Sequence, residues 1–356
     1  APPKITGEGK VKFGVFDHVD KSGRPLAEQF AQRVEYVQAA DRLGFYCYHV
    51  AEHHATPLNM VPVPGVFLGA VAQATKNIRL GPLTYLLPLY SPLRLIEEIG
   101  MFDHMSNGRM EIGVGRGVSP FELNYHGVDP EIGREIYAEA LEVLIEGMTH
   151  DQLTYSGKHF TYKDVPMELR PLQAPYPPLW YPSSNASSSA VAGKQGFHFC
   201  TLGGGDAAKA NIDAFKEGYA KRGAPPQGAE SPFPGGAAIG ISRQVTLAET
   251  DEEALKIAGP AYKTWHASLT KLWRENQVEG PSFARNAVDT VEKAIAGGNH
   301  LAGSPSTVAE QLAEQIEFFG VNYMVIAFNI GSMAHEDAMR SITLFGEEVM
   351  PKLAEL

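Results

Sequence analysis

The chain has 356 residues, 44% of them apolar and 20% charged, with a formal net charge of −11. That length holds one large domain or two ordinary ones, and the acidity argues against a nucleic-acid backbone as partner. No run of about 18 apolar residues is present to span a membrane. The N-terminal stretch APPKITGEGK lacks an apolar signal core, and two cysteines, Cys47 and Cys200, cannot by themselves build a disulfide framework or a zinc site. A reducing, cytoplasmic setting is the expectation.

The predicted elements alternate strand and helix. VKFGVF, 11–16, reads as the first strand. A helix follows from Pro25 to Leu43, where Leu26, Phe30, Val34 and Val37 recur at spacings of four, four and three and mark one apolar face. Pro25 suits its first turn and Gly44 its C-terminal cap. Residues 46–51 form strand two, 65–75 a small-residue helix, and IRLGPLTYLLP, 78–88, strand three. A helix from Pro92 to Met105 ends at the SNGR turn, and MEIGVG, 110–115, is strand four. After a helix over 133–149 comes LTYSGKHFTY, 153–162, a hairpin that reads as an insertion within 150–176. Strand five is PPLWYP, 177–182, followed by a helix over 187–195; strand six is 197–202, followed by a helix over 206–222. Strand seven is 237–247 and strand eight 321–328, with a last helix near 335–353.

Eight apolar strands mostly separated by helices predict a parallel sheet, and eight units in one chain favour a closed (β/α)8 TIM barrel with insertions, one domain over residues 1–356. A doubly wound sheet competes, but its glycine fingerprint is missing after the first strand, where the chain reads DHVDKSGRP.

Barrel enzymes place their chemistry at the carboxyl ends of the strands. Strand two ends in Glu52, His53 and His54. Adjacent residues of an extended chain point to opposite sides, so one imidazole can face the mouth while the other packs into the wall; a purely structural pair is the competing reading. The sequence EHH lacks the helical H-E-x-x-H spacing, so no metal is expected. Strand four runs into GVGRGV, 113–118, where glycines permit close backbone approach and Arg116 offers a fixed positive fork for phosphate; a tight turn with a surface arginine is the alternative. Strand five runs into SSNASSS, 183–189, which can cap a helix or present its first N–H groups to an anion. Together these suggest a phosphate-bearing cofactor with a histidine facing its reactive end.

In this order the segments VKFGVF, AEHH, IRLGPLTYLLPLYSPLRLIEE, MFDHMSNGRMEIGVGRG, PPLWYPSSNASS and GSPSTVAEQL resemble the bacterial luciferase-like flavin-dependent monooxygenases, most closely the luciferase α-subunit type. The resemblance spans nearly the whole chain and is weakest over 250–300. It implies a (β/α)8 barrel that receives reduced FMN from a separate NAD(P)H-dependent flavin reductase and lets it react with O2 to a flavin (hydro)peroxide, which oxygenates a small organic substrate. It further implies His53 as catalytic base with His54 and Glu52 in support, and Arg116, Ser184, Asn185, Ser188 and Arg134 as the phosphate site. Leu83 and Thr84 would lie behind the flavin ring, joined by a cis peptide bond. Gly115 stands beside the flavin where luciferases carry a cysteine, and Ser184 stands where their turn begins with Glu. Residues 255–300 should form a lid, with WHASLTKLWREN, 265–276, a lid helix whose Leu269 and Leu272 point inward. Phe16, His18, Met60 and Tyr85 are expected in the pocket wall, which suits an apolar substrate. A homodimer is implied. Two rival readings stay open: a deazaflavin-dependent oxidoreductase on the same barrel, and a non-catalytic flavoprotein or partner subunit.

Overall fold

The computed structural model describes residues 10–222, 228–285, 287–354 and 356. The N-terminal stretch read for a signal core therefore lies almost wholly outside the described residues, as does position 286 of the expected lid.

Among the described residues the strands are β1 (Lys12–Asp17), β2 (Cys47–Val50), β3 (Arg79–Pro82), β4 (Tyr85–Leu86), β5 (Ile112–Gly115), β6 (Gln152–Ser156), β7 (Thr161–Pro166), β8 (Leu179–Pro182), β9 (His198–Thr201), β10 (Ile239–Leu247), β11 (His300–Gly303) and β12 (Tyr323–Ala327). The main sheet is parallel and runs β3-β2-β1-β12-β10-β9-β8-β5-β4. Because β3 and β4 are consecutive in the chain, and Leu80 of β3 also bridges Met110 just before β5, the sheet closes on itself. The (β/α)8 barrel expected from the strand count is therefore present.

Alternation along the strands sorts side chains into two cores. Tyr46, Cys47, Trp180, Cys200, Tyr323 and Val325 fill the lumen together with Phe233. Outward residues such as Val15, Tyr48, Phe199 and Ile326 pack against the helices. The lumen also holds a satisfied polar layer. Glu111 accepts hydrogen bonds from Tyr46 Oη (2.9 Å), from the Arg79 guanidinium and from the Trp180 indole N–H. Burial pushes the Glu111 carboxyl up, but Arg79, His198 and the Trp180 hydrogen bond together outweigh it and hold the group below its ordinary value. His49 and His198, both buried here, are pushed down to about 4 by loss of solvation and stay neutral at physiological pH.

Several expectations are corrected. Strand three is not continuous over 78–88: it breaks at a cis peptide bond between Leu83 and Thr84 and ends in a single 3-10 turn at Leu87–Leu89. The first helix runs Leu26–Leu43 with Gly44 in the left-handed cap conformation, yet its most deeply buried face carries Gln29, Arg33, Tyr36 and Val37, while Leu26 is exposed. Polar residues can occupy that face because Arg33 meets a partner, Asp17 at the end of β1, through two hydrogen bonds of 2.6 and 3.2 Å. The short helix Pro120–Tyr125 and the strand β11 were not anticipated. β11 pairs with the far end of β10, Gln244–Leu247, beyond the residues that β9 covers. The antiparallel hairpin β6–β7 reaches Pro166 and is held to the helix Gly133–Thr149 by Glu139, which accepts from the N–H groups of Lys158, His159 and Phe160. The last helix is interrupted by a π-helical turn at Phe345–Val349.

Candidate active site

The candidate residues sit on loops at the carboxyl ends of neighbouring strands. β2 leads into Glu52, His53 and His54; the break between β3 and β4 is Leu83–Thr84; β5 ends at Gly115 and leads into Arg116; β8 leads into Ser184 and Asn185. β5 and β8 are paired, and the helix Gly133–Thr149, whose second residue is Arg134, lies between them in the chain. Arg116 and Arg134 are both exposed, and neither guanidinium has a partner among the described residues. An unpaired, always-charged fork at a loop is suited to a phosphate.

The helix after β8 starts at Ala186, one residue before the expected start, because Asn185 is its N-cap: Asn185 Oδ1 accepts from Ser188 N–H at 2.8 Å. Ser183 and Ser189 hydroxyls both donate to the Asn185 carbonyl, so the serine-rich run is an ordered turn and not a linker. Ser184 and Ser187 are exposed, and the first-turn N–H groups of the helix point its positive dipole end outward. The backbone here is compatible with anion binding, and Asn185 serves the helix first.

Gly115 is fixed by a neighbour. A Cβ at this position would lie 2.4 Å from Thr84 Oγ1. The residue that differs from luciferases is thus paired with the threonine of the cis peptide, and the two shape one surface without a side chain at 115. Gly81 and Gly113 play the analogous part deeper down, where a Cβ would meet the backbone of Glu111 and Pro82.

The EHH segment is held by two carboxylates. Glu52, 2% exposed, accepts from Leu86 N–H (3.0 Å) and Tyr90 Oη (2.9 Å) and contacts His54 Nε2 at 2.7 Å. Burial raises its pKa, against the pull of those three partners. Glu52 therefore ties the end of β2 to β4 and supports His54. Glu122, on the helix Pro120–Tyr125, accepts from the His54 backbone N–H and contacts His53 Nδ1 at 3.3 Å. His54 packs edge-on to His126, with ring centroids 4.4 Å apart. His53 keeps partial exposure and lies beside His18, centroids 5.8 Å apart. Burial, reinforced by His53, pushes His18 down to about 3, so His18 is a neutral neighbour.

Of the expected pocket wall, Phe16 and His18 pack together at the end of β1. Met60 lines an open cleft of about 490 Å³ with Lys21, Asn59 and Lys271. Tyr85 does not belong to the wall: it is buried among the helices and donates to Glu98 at 2.8 Å. Leu272 is buried as expected and Leu269 partly so, but their helix is longer than read, Asp251–Glu275, with Pro260 inside it. Trp273 on this helix packs edge-on to Phe121, beside Glu122, at 5.2 Å. Glu122 was absent from the sequence reading. Its only signal was a serine N-cap and a proline ahead of it, SPFE, which marks a helix start and no chemistry. Among the described residues, no three His, Cys, Asp or Glu side chains gather as a metal ion would require.

A closed parallel barrel with charged and polar residues on its carboxyl-end loops has the architecture of an α/β-barrel enzyme. Residues 11–323 match the family model described as luciferase-like monooxygenase, and the chain belongs to that family. It is 36% identical over 345 residues to the protein y4wF of Sinorhizobium fredii, covering 97% of this chain and 98% of that one. It is 29% identical over 191 residues, about half of each chain, to the oxygenase component of the flavin-dependent trigonelline monooxygenase of Acinetobacter baylyi. In fold it is similar to the oxygenating constituent of 3,6-diketocamphane monooxygenase of Pseudomonas putida, a type II Baeyer-Villiger monooxygenase in complex with FMN (TM-score 0.77, 23% identity, 96% of this chain and 98% of that one).

Proposed function

We propose that this chain is the oxygenase component of a two-component monooxygenase. It receives reduced FMN from a separate NAD(P)H-dependent flavin reductase and uses O2 to oxygenate a small, mostly apolar organic substrate. The observation that supports this most is that Arg116, after β5, and Arg134, at the start of the helix Gly133–Thr149, are exposed with no partner among the described residues, while β8, paired with β5, leads into a helix start capped by Asn185. Arg116, Arg134 and the 184–188 turn would hold the FMN phosphate, and Leu83, Thr84 and Gly115 would back its ring. Bound reduced FMN supplies the two electrons that let one oxygen atom of O2 enter the substrate and the other leave as water. His53 holds or moves a proton at its free ring nitrogen. Residues 255–300, led by the helix Asp251–Glu275, act as a lid that keeps bulk water out. The relative's description as an oxygenase component supports a reductase partner, and a homodimer is part of the same reading.

Oxygen uptake with photoreduced FMN and a panel of ketones, aldehydes, terpenes and N-methylated heteroaromatics tests this. Arg116→Ala should weaken FMN binding by about 1.5–3 kcal/mol, the worth of a hydrogen bond to a charged group. His53→Ala should slow turnover by about 10²–10⁴ with FMN affinity nearly unchanged. Hydride transfer from reduced deazaflavin with no oxygen consumption would replace the proposal with its rival.

A further inference from the structure

We infer that Glu122 is a positioning residue that locks His53 as the Nδ1–H tautomer, leaving Nε2 as a lone pair free to take a proton. The inference deepens the role proposed for His53. It stands on geometry that needs no flavin.

Glu122 is 3% exposed and comes from the short helix Pro120–Tyr125 after β5, which only the β3–β4 segment separates from β2 in the barrel. Its two oxygens are divided between two donors: Oε1 takes the His54 backbone N–H, and Oε2 faces His53 Nδ1 at 3.3 Å. A carboxylate only accepts, so the ring nitrogen facing it must carry the proton. A neutral imidazole has one N–H, so Nε2 is then left bare. The neighbouring histidine is held the opposite way. His54 meets Glu52 through Nε2 at 2.7 Å, and its ring packs edge-on against His126. The two adjacent histidines are therefore fixed in opposite orientations by two buried acids, and only His53 combines partial exposure with a free Nε2. Glu122 itself is held in place: its N–H donates to the Ser119 hydroxyl that caps its helix, and Phe121 beside it packs on Trp273.

The isosteric variant E122Q provides a sharp test. With its amide oxygen kept on the His54 N–H, the amide NH2 group faces His53 Nδ1 and forces that nitrogen to accept. The proton then moves to Nε2, and the base is lost without a change of shape. The flavin-free full chain, labelled with ¹⁵N, reads this directly through the two His53 ring nitrogens at a pH where the imidazole is neutral, assigned by comparison with H53Q. Wild type and E122D should show the proton on Nδ1, and E122Q should show it on Nε2. The same tautomer in wild type and E122Q would overturn the inference. In turnover, E122Q should lower kcat by about 10²-fold or more, as removal of a carboxylate behind a catalytic histidine does, with FMN affinity within twofold. Equal losses of FMN affinity and kcat would show Glu122 to be only scaffold. Should H53A turn over normally while E122Q still reverses the tautomer, the role given to His53 fails and the inference about Glu122 stands.

Discussion

At the scale of single residues, the buried acids divide by what they meet. Asp17 faces Arg33 and Tyr48 and is fully paired. Glu111 faces Arg79, Tyr46 and Trp180. Asp20 is different. It is fully buried, and neither carboxyl oxygen has a hydrogen-bonding partner among the described residues. Burial pushes it up to about 7, with Asp17 adding to the shift and Arg33 opposing it. Its folded value lies above its unfolded one, so the folded chain retains a proton that the unfolded chain has released between about pH 4 and pH 7. Stability from this group is thus present at low pH and lost as the pH rises through that window. Asp20→Asn removes the charge and keeps the shape. Urea unfolding should show the variant gaining on wild type from pH 4 to pH 8, by on the order of 4 kcal/mol at most. A difference that is flat with pH would mean that the carboxyl finds a partner in solution.

At the scale of elements, the join between β3 and β5 shapes the surface proposed to back the flavin ring. Gly115 has no room for a Cβ while Thr84 keeps its hydroxyl where it is. Gly115→Ala should cost about 1–3 kcal/mol through overpacking and weaken FMN binding, with denaturant unfolding and flavin titration as the measurements. Thr84→Ala in the same chain should recover most of the stability, because it removes the atom the new methyl would strike. No recovery would place the clash elsewhere. The same region shows how far elements were legible. The run 78–88 is mostly apolar, and apolarity alone cannot tell one strand from two strands divided by a turned peptide. The first helix shows the converse. Its apolar stripe is genuine, but the burial of Arg33 depends on Asp17, sixteen residues away, which periodicity does not see.

At the scale of the molecule, the long helix Asp251–Glu275 spans from the β10–β11 end of the barrel to the helix that carries Glu122. Trp273 on Phe121 is the contact that joins them. Trp273→Ala removes an aromatic pair worth about 0.5–1.5 kcal/mol beyond its burial. Hydrogen exchange should speed up in both helices, and more of the oxygen consumed should appear as free hydrogen peroxide. Exchange that changes in neither helix would uncouple the proposed lid from the site.

The sequence by itself determined the barrel, since eight apolar strands with intervening helices leave a parallel sheet few other ways to hide both faces. It also marked Arg116, the 183–189 turn and the histidine pair, because each interrupts an apolar strand end with groups that burial alone would not select. Only the tertiary structure decided which oxygen or nitrogen each of those groups meets. Glu122 reaches His53 from 69 residues away, and Thr84 reaches Gly115 on the neighbouring strand. Hydrogen bonds and steric exclusion act over a few ångströms of space, and distance along the chain carries no record of them until the barrel has closed.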